Sequence, residues 1–154
     1  MYTVDTNEYI SMLRELLDAG QTVQLPVSGN SMLPLLIHNR DSVTLARPET
    51  PLKVGDIVLY QRPTGEYILH RICRITQAGI FCIGDAQQQV EGPIAPDAVF
   101  GRVTAAVRKG KTLTPGTPLW DFSARAWIRM IPCRHTLMRL YGIRFPDGKG
   151  AAYE

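Results

Sequence analysis

Residues 56–83 read DIVLYQRPTGEYILHRICRITQAGIFCI, with three apolar runs separated by two short polar segments. The runs are rich in isoleucine, leucine, valine and tyrosine, which favour extended backbone. The segment 62–65 contains a proline and a glycine, and the segment 76–79 contains a glycine, which are typical of turns. The stretch therefore predicts strands that fold back on one another as antiparallel hairpins, over 56–61, 66–75 and 79–83.

The same texture of short β-rich runs extends from Thr22 to Leu119, broken by glycine, proline, aspartate and asparagine. It predicts three further strands, over 22–27, 41–46 and 98–108. The expected fold class is therefore mainly β, an antiparallel β domain with helical ends.

A helix is predicted before the first strand, over residues 5–18. Its apolar side chains recur at near-helical spacing: Tyr9, Ile10, Leu13, Leu16 and Leu17. Gly20 then fits a C-cap, since glycine tolerates the left-handed conformation that ends many helices.

A basic amphipathic tail is predicted after the segment 115–118. An apolar stripe is formed by Trp120, Ala124, Trp127, Ile131, Met138 and Tyr141, and five arginines accompany it: Arg125, Arg129, Arg134, Arg139 and Arg144. Pro132 should interrupt the helix. The favoured interpretation is a helix packed on the β domain, and the alternative is an anchor on anionic lipid or a docking helix for a protein. The chain thus divides into 1–118, the β domain with its N-terminal helix, and 119–154, the tail.

Composition narrows the class of protein. A hydrophobic content of 45% over 154 residues supports a real core, and a net charge of +3 does not favour nucleic-acid binding. Three cysteines without metal-ligand spacing fit a reducing compartment and no metal site. No run of about 18 apolar residues or signal pattern occurs, so the expected location is cytoplasmic, at most peripheral to a membrane.

Ser31 is the first candidate for chemistry, in the stretch 27–34 that reads VSGNSMLP. Gly29 lets the backbone approach a ligand closely, and Met32 can fasten the loop to the core. Ser31 would then be held rigidly, as a nucleophile requires. The alternative is a serine-glycine-asparagine turn without chemistry.

Five further segments follow Ser31 in a fixed order and strengthen its candidacy: Arg40-Asp41-Ser42-Val43, Val54-Gly55-Asp56-Ile57-Val58, His70-Arg71-Ile72, Gly84-Asp85 and Phe100-Gly101-Arg102-Val103. Over about residues 24–108 the chain resembles the signal peptidase I family and the self-cleaving LexA-type repressors. The resemblance implies a signal-peptidase-like β domain with Ser31 as the nucleophile. The bacterial enzymes have lysine before arginine where this chain has His70-Arg71, which is similar to the archaeal and endoplasmic-reticulum branch. The chain departs from that family in having no membrane-spanning segment.

His70 is the candidate base. On the strand 66–75 it shares a face with Ile68 and Ile72, which suits a partly desolvated imidazole that is neutral at physiological pH. A core histidine without function would show the same pattern. The four lysines lie next to glycine or in turn-rich sequence, where they stay charged and make poor bases.

The resemblance also implies an acidic partner, at Asp85 or at Glu91, and the choice between them stays open. Either carboxylate could hold the imidazole tautomer and stabilise the imidazolium. The predicted oxyanion donor is the backbone N–H of Ser31. Ser28, by resemblance, together with Gly29 and Met32, completes the expected oxyanion and substrate-binding residues.

The expected activity is that of a serine endopeptidase which cleaves a leader or precursor peptide, without a metal or organic cofactor. Two alternatives are a non-catalytic peptide-binding or regulatory module and a LexA-like switch that cleaves itself, for which Ala19-Gly20 is a candidate bond. The expected partner is a peptide or protein precursor, with membrane-surface contact through the tail as a further expectation.

Overall fold

An antiparallel sheet organises the computed structural model, which describes residues 6–49, 51–140, 142 and 152–153. Its strands are β1 (Val23–Pro26), β2 (Ser42–Ala46), β3 (Ile57–Gln61), β4 (Tyr67–Thr76), β5 (Gly79–Ile83), β6 (Glu91–Ile94), β7 (Val99–Arg108), β8 (Lys111–Leu113) and β9 (Ala152–Tyr153). The main path runs β1-β2-β7-β3-β4-β5-β6, while β8 pairs with β7 and β9 with β4. The mainly β fold class expected from the sequence is confirmed.

The two hairpins predicted within 56–83 are present as β3-β4 and β4-β5. Val58 pairs with His70 across the first hairpin, and Arg71 pairs with Ile83 across the second. The strands predicted before and after this stretch also form, within one residue at each end. The alternation of β-branched runs and turn residues was sufficient to locate them.

The strand β6 was not among the strands predicted from the sequence. The sequence of β6 is Glu91-Gly92-Pro93-Ile94, whose glycine and proline argue against a strand. It forms at the end of the sheet path, where Ile94 pairs with Ile80 and Glu91 with Cys82. Proline is tolerated there because an edge strand leaves one side of its backbone unpaired.

The two faces of β4 are buried in different clusters. Tyr67 and Leu69 pack into the cluster that contains the N-terminal helix. Ile68 and Ile72, which share the face of His70, pack into a second cluster with Tyr60 of β3. This agrees with the predicted alternation and places His70 and Arg71 on opposite sides of the sheet.

The N-terminal helix, α1, spans Thr6–Asp18 and contributes Ile10, Leu13 and Leu17 to the first cluster. Its end fits the predicted C-cap, since Gly20 has a φ of +83° and donates its N–H to the carbonyl of Leu17 at 3.0 Å. A short 3₁₀ turn, Pro96–Ala98, precedes β7.

The C-terminal segment consists of α2 (Pro118–Asp121), a π-helical stretch (Phe122–Ala126), a 3₁₀ stretch (Trp127–Cys133) and α3 (Arg134–Leu140). The predicted break near Pro132 is present, because Met130 departs from helical geometry with φ −93° and ψ 16°. Trp120, Trp127 and Met138 are buried, so the segment packs against the rest of the fold. Tyr141 and Arg144 of the predicted tail lie outside the described residues. Among those described, no helix has both the length and the apolar character needed to cross a membrane.

Candidate functional site

The Ser31 loop connects β1 and β2 and is fastened at both ends. Gly29 has a φ of +79° and donates its N–H to Nδ1 of His38 at 2.8 Å. Met32 is 1% exposed and belongs to the first cluster, as expected for an anchor. Ser31 itself is fully buried. The Gly29 N–H is therefore already engaged in this conformation, and Ser28 is half-buried beside it.

The turn after β5 brings the Ser31 loop next to the strand of His70. Because Arg71 pairs with Ile83 in an antiparallel ladder, the next residue, Gly84, continues alongside His70. A Cβ atom at Gly84 would lie only 2.6 Å from the carbonyl oxygen of Ser31, so only glycine fits this approach. Ala86 then donates its N–H to the same carbonyl at 2.8 Å. The fold thus gathers three predicted segments that are far apart in sequence.

His70 is 1% exposed, and its two ring nitrogens have different surroundings. Nδ1 lies 3.5 Å from the hydroxyl oxygen of Tyr60 and 4.0 Å from Oε2 of Glu91. Nε2 is buried and makes no hydrogen bond to Ser31 or to any other described residue. Nε2 is therefore the ring nitrogen that could still form a hydrogen bond.

Burial lowers the pKa of His70 to about 4, although the negative charge of Glu91 acts in the opposite direction. Arg62 lowers the pKa of His70 further, and Asp85 raises it. The imidazole is consequently neutral near pH 7, as the apolar neighbours in the sequence predicted.

This pKa makes stability depend on pH. In the unfolded chain His70 takes up a proton near pH 6.5, whereas in the folded protein it does so only near pH 4, so stability falls as pH decreases between these values. The difference corresponds to about 3 kcal/mol in the free energy of unfolding. We expect urea titrations of the wild type and His70→Asn at pH 7 and pH 4.5 to show a smaller loss for the variant. A loss of stability for His70→Asn equal to that of the wild type would contradict the assignment.

Glu91 is the acid that the structure brings to His70. Its carboxylate accepts a hydrogen bond from the hydroxyl of Tyr60 at 2.7 Å and two from Arg62, from Nε at 2.5 Å and Nη2 at 3.0 Å. Burial acts to raise the pKa of Glu91, but the hydrogen bonds from Arg62 and Tyr60 outweigh it and lower the pKa. Glu91 is therefore ionised and oriented near Nδ1.

Asp85 is bound to a different group. Both of its oxygens accept hydrogen bonds from Arg71, at 2.8 Å from Nε and 2.9 Å from Nη2, and both side chains are fully buried. Arg71 also donates to the carbonyl of Gly55 and to Oγ of Ser123. Asp85 thus neutralises Arg71 on the face of β4 opposite to His70, while Glu91 lies at the imidazole.

Two residues of the C-terminal segment support the turn after β5, and sequence reasoning assigned neither to the site. The indole N–H of Trp127 donates to the carbonyl of Asp85 at 2.7 Å. The guanidinium of Arg134 donates to the carbonyls of Gly84 and Gln87, each at 3.1 Å. The apolar stripe predicted that Trp127 would be buried, but no signal indicated which turn it would hold.

Tyr60 and Arg62 are further site residues that the sequence did not reveal. Tyr60 was part of an apolar run, and Arg62 belonged to a predicted turn. Only the register of β3 against β4 and the formation of β6 bring both to Glu91.

No family model matches the chain, and no curated protein matches it significantly. The residues that the structure describes include no group of three or more histidine, cysteine, aspartate or glutamate side chains that could hold a metal ion.

Proposed function

We propose that the protein is a serine endopeptidase of the signal-peptidase-like type, which cleaves a leader or precursor peptide. The observation that carries the proposal is that Nε2 of the neutral, buried His70 has no hydrogen-bond partner among the residues that the structure describes, on the strand beside the turn that holds Ser31. A buried ring nitrogen without a partner costs free energy, and such groups in folded proteins call for an explanation. An explanation that fits the neighbouring Ser31 is that Nε2 of His70 acts as a base and takes the proton from the serine hydroxyl.

The mechanism follows from these positions. Oγ of Ser31 attacks the peptide carbonyl and gives its proton to Nε2 of His70, which then protonates the leaving amine. Water, activated by the same imidazole, hydrolyses the acyl-serine. The negative charge of Glu91, 4.0 Å from Nδ1, stabilises the imidazolium that forms in each step. The backbone N–H of Ser31 is the proposed oxyanion donor.

The described conformation is closed, because Ser31 and His70 are 0% and 1% exposed. Leu33 packs with Ala86, Trp127 and Met138 in a small cluster between the Ser31 loop and the C-terminal segment. We propose that this segment moves when a peptide enters. Its hydrogen bonds to the turn after β5 hold the closed arrangement, so a peptide that reaches Ser31 would have to loosen them.

Incubation of the purified protein with a peptide library, followed by mass spectrometry, tests the proposal. We expect new peptide termini that share a sequence preference and that are absent with Ser31→Ala. Ser42→Ala is a matched control, since Ser42 lies on β2 and accepts a hydrogen bond from Gln24. Cleavage of equal extent with Ser31→Ala would contradict the proposal.

A second candidate is a non-catalytic peptide-binding or regulatory module. The near-complete burial of both Ser31 and His70 favours it, since such a module needs neither side chain to be reached. The same library separates the two, because a module would retain peptides without producing new termini. A self-cleaving switch would instead shorten its own chain during storage, and Ser31→Ala would prevent that.

We also propose weak contact of the C-terminal segment with anionic membrane surfaces. Leu119, Phe122 and Leu140 are 37%, 49% and 77% exposed, and Arg125, Arg129 and Arg139 are exposed along the same segment. Each arginine near an anionic surface contributes about 1 kcal/mol. We expect sedimentation with vesicles containing phosphatidylserine at low salt, and its loss as salt rises.

The matched test of this contact removes two charges at a time. Arg125→Ala with Arg129→Ala should abolish most of the sedimentation, whereas Lys109→Ala with Lys111→Ala, at the β7-β8 turn, should leave it unchanged. Equal losses for the two pairs would indicate attraction by net charge alone and would contradict the proposed surface.

A further inference from the structure

The hydroxyl of Tyr60 faces both Glu91 and His70. Its ring is fully buried on β3, and its oxygen is 2.7 Å from Oε2 of Glu91 and 3.5 Å from Nδ1 of His70. Glu91 itself is 4.0 Å from Nδ1, which is too long for a hydrogen bond. Tyr60 is therefore nearer to the imidazole than the carboxylate is.

The direction in which the Tyr60 hydroxyl donates its one hydrogen bond determines whether Nδ1 of His70 carries a proton. An ionised carboxylate is a stronger acceptor than a neutral imidazole, so the hydroxyl donates to Glu91. The lone pairs of the hydroxyl oxygen are then the groups that can face Nδ1, and they can only accept. We infer that Tyr60 is a positioning residue that fixes His70 in the tautomer with a proton on Nδ1, leaving Nε2 as the bare base. The inference about catalysis rests on the proposed function, whereas the tautomer can be measured without it.

Arg62 explains why Glu91 does not perform this role directly. Two hydrogen bonds from Arg62 hold the carboxylate in a position where its Oε2 stays 4.0 Å from Nδ1 of His70. Burial raises the pKa of Tyr60, and its hydrogen bond to Glu91 raises it further, so the phenol stays neutral. Tyr60 thus acts as a neutral relay between Glu91 and His70. It orients the imidazole ring without placing a full negative charge at hydrogen-bond distance from Nδ1.

The proton positions balance through the reaction. When Nε2 accepts the proton of Ser31, the imidazolium keeps its proton on Nδ1, and this N–H donates a hydrogen bond to the oxygen of Tyr60. The proton of Tyr60 remains directed at Glu91, which stays ionised. No proton travels along the relay, and the charge of Glu91 stabilises the imidazolium through an oriented hydroxyl.

Nitrogen-15 NMR of the imidazole rings tests this assignment, since protonated and bare ring nitrogens have distinct chemical shifts. In the wild type at pH 7 we expect His70, assigned with His70→Gln, to carry its proton on Nδ1. Tyr60→Phe should shift the population toward the Nε2–H tautomer. Tyr67→Phe is the matched control, because Tyr67 is a buried tyrosine on β4 that packs on Phe100, on the opposite face from His70.

A second variant keeps the test decisive if Tyr60→Phe fails to fold. Glu91→Ala removes the acceptor of the hydroxyl, so Tyr60 becomes free to donate to Nδ1 and His70 should change to the Nε2–H tautomer. A folded variant of either kind in which His70 keeps its proton on Nδ1, as in the wild type, would overturn the inference.

Kinetics separates this inference from the proposed function. If both hold, Tyr60→Phe should lower kcat by about 10- to 100-fold with little change in KM, since the relay acts on the base and not on binding. If cleavage does not depend on Ser31, the proposed function fails while the tautomer result stands. If cleavage depends on Ser31 but neither the tautomer nor kcat changes with Tyr60→Phe, only the role of Tyr60 fails.

Discussion

Ser31→Ala and His70→Ala should each reduce the rate of peptide cleavage by on the order of 10⁴- to 10⁶-fold. The nucleophile and the base act as one unit, because a neutral serine hydroxyl attacks a peptide bond poorly unless its proton is removed. The double variant should therefore be little slower than either single variant. Steady-state and single-turnover rates on a peptide identified from the library would measure all three.

The pH dependence of the wild type checks the same pair of residues. The imidazole must be neutral to accept the proton, so activity should be lost as pH falls through the pKa of His70, near 4. An unperturbed imidazole would instead place this loss at about pH 6.5. Two outcomes would contradict the assignment. One is a double variant whose loss of cleavage rate is the sum of two independent losses. The other is a wild-type activity that is lost at about pH 10, which would indicate a lysine base.

Asp85→Asn should lower the free energy of unfolding by about 3 to 5 kcal/mol, the largest effect on stability that we expect. The variant leaves the guanidinium of Arg71 buried without its counter-charge, and an uncompensated buried charge is strongly destabilising. Urea unfolding followed by circular dichroism would measure it.

Two controls distinguish the roles of the acids. Glu66→Gln breaks an ion pair with Arg62 in which the Glu66 side chain is 45% exposed, and it should change the free energy of unfolding little, because solvent screens exposed ion pairs. Glu91→Gln should lower the cleavage rate while changing the free energy of unfolding little. Asp85→Asn should lower the free energy of unfolding, while its folded fraction should still cleave the peptide. A loss of cleavage with Asp85→Asn at full stability would indicate that Asp85, and not Glu91, orients His70.

The strands of the fold could be predicted because their signals are local. The turn residues at 62–65 and 76–79 and the β-branched runs between them define β3, β4 and β5 without any long-range information. The strand β6 could not be predicted in this way, since Gly92 and Pro93 are poor strand residues. It forms because Ile94 and Glu91 pair with β5, which is a property of the sheet and not of the segment.

The residues of the candidate site were harder to predict than the strands, because they come from segments that are far apart in the sequence. Ser31 and His70 could be proposed as partners only through the resemblance in motif order, because nothing local links a loop before β2 to the middle of β4. The sequence left open which acid lies near His70, but strand alternation already indicates that Arg71 lies on the opposite face of β4 from His70. Asp85 binds Arg71 and is therefore on that opposite face. The placement of Tyr60 depends on the register between β3 and β4, which a sequence without an alignment does not specify.

The most direct test of the account is whether Ser31 is an activated nucleophile. A fluorophosphonate forms a stable phosphonyl ester with serine only where a base activates the hydroxyl, and intact-mass measurement followed by peptide mapping locates the adduct. We predict a single adduct on Ser31, formed slowly because the described conformation is closed, absent in Ser31→Ala and at least about 100-fold slower in His70→Ala. An adduct on another residue, or labelling of Ser31 at the same rate with His70→Ala, would contradict the account.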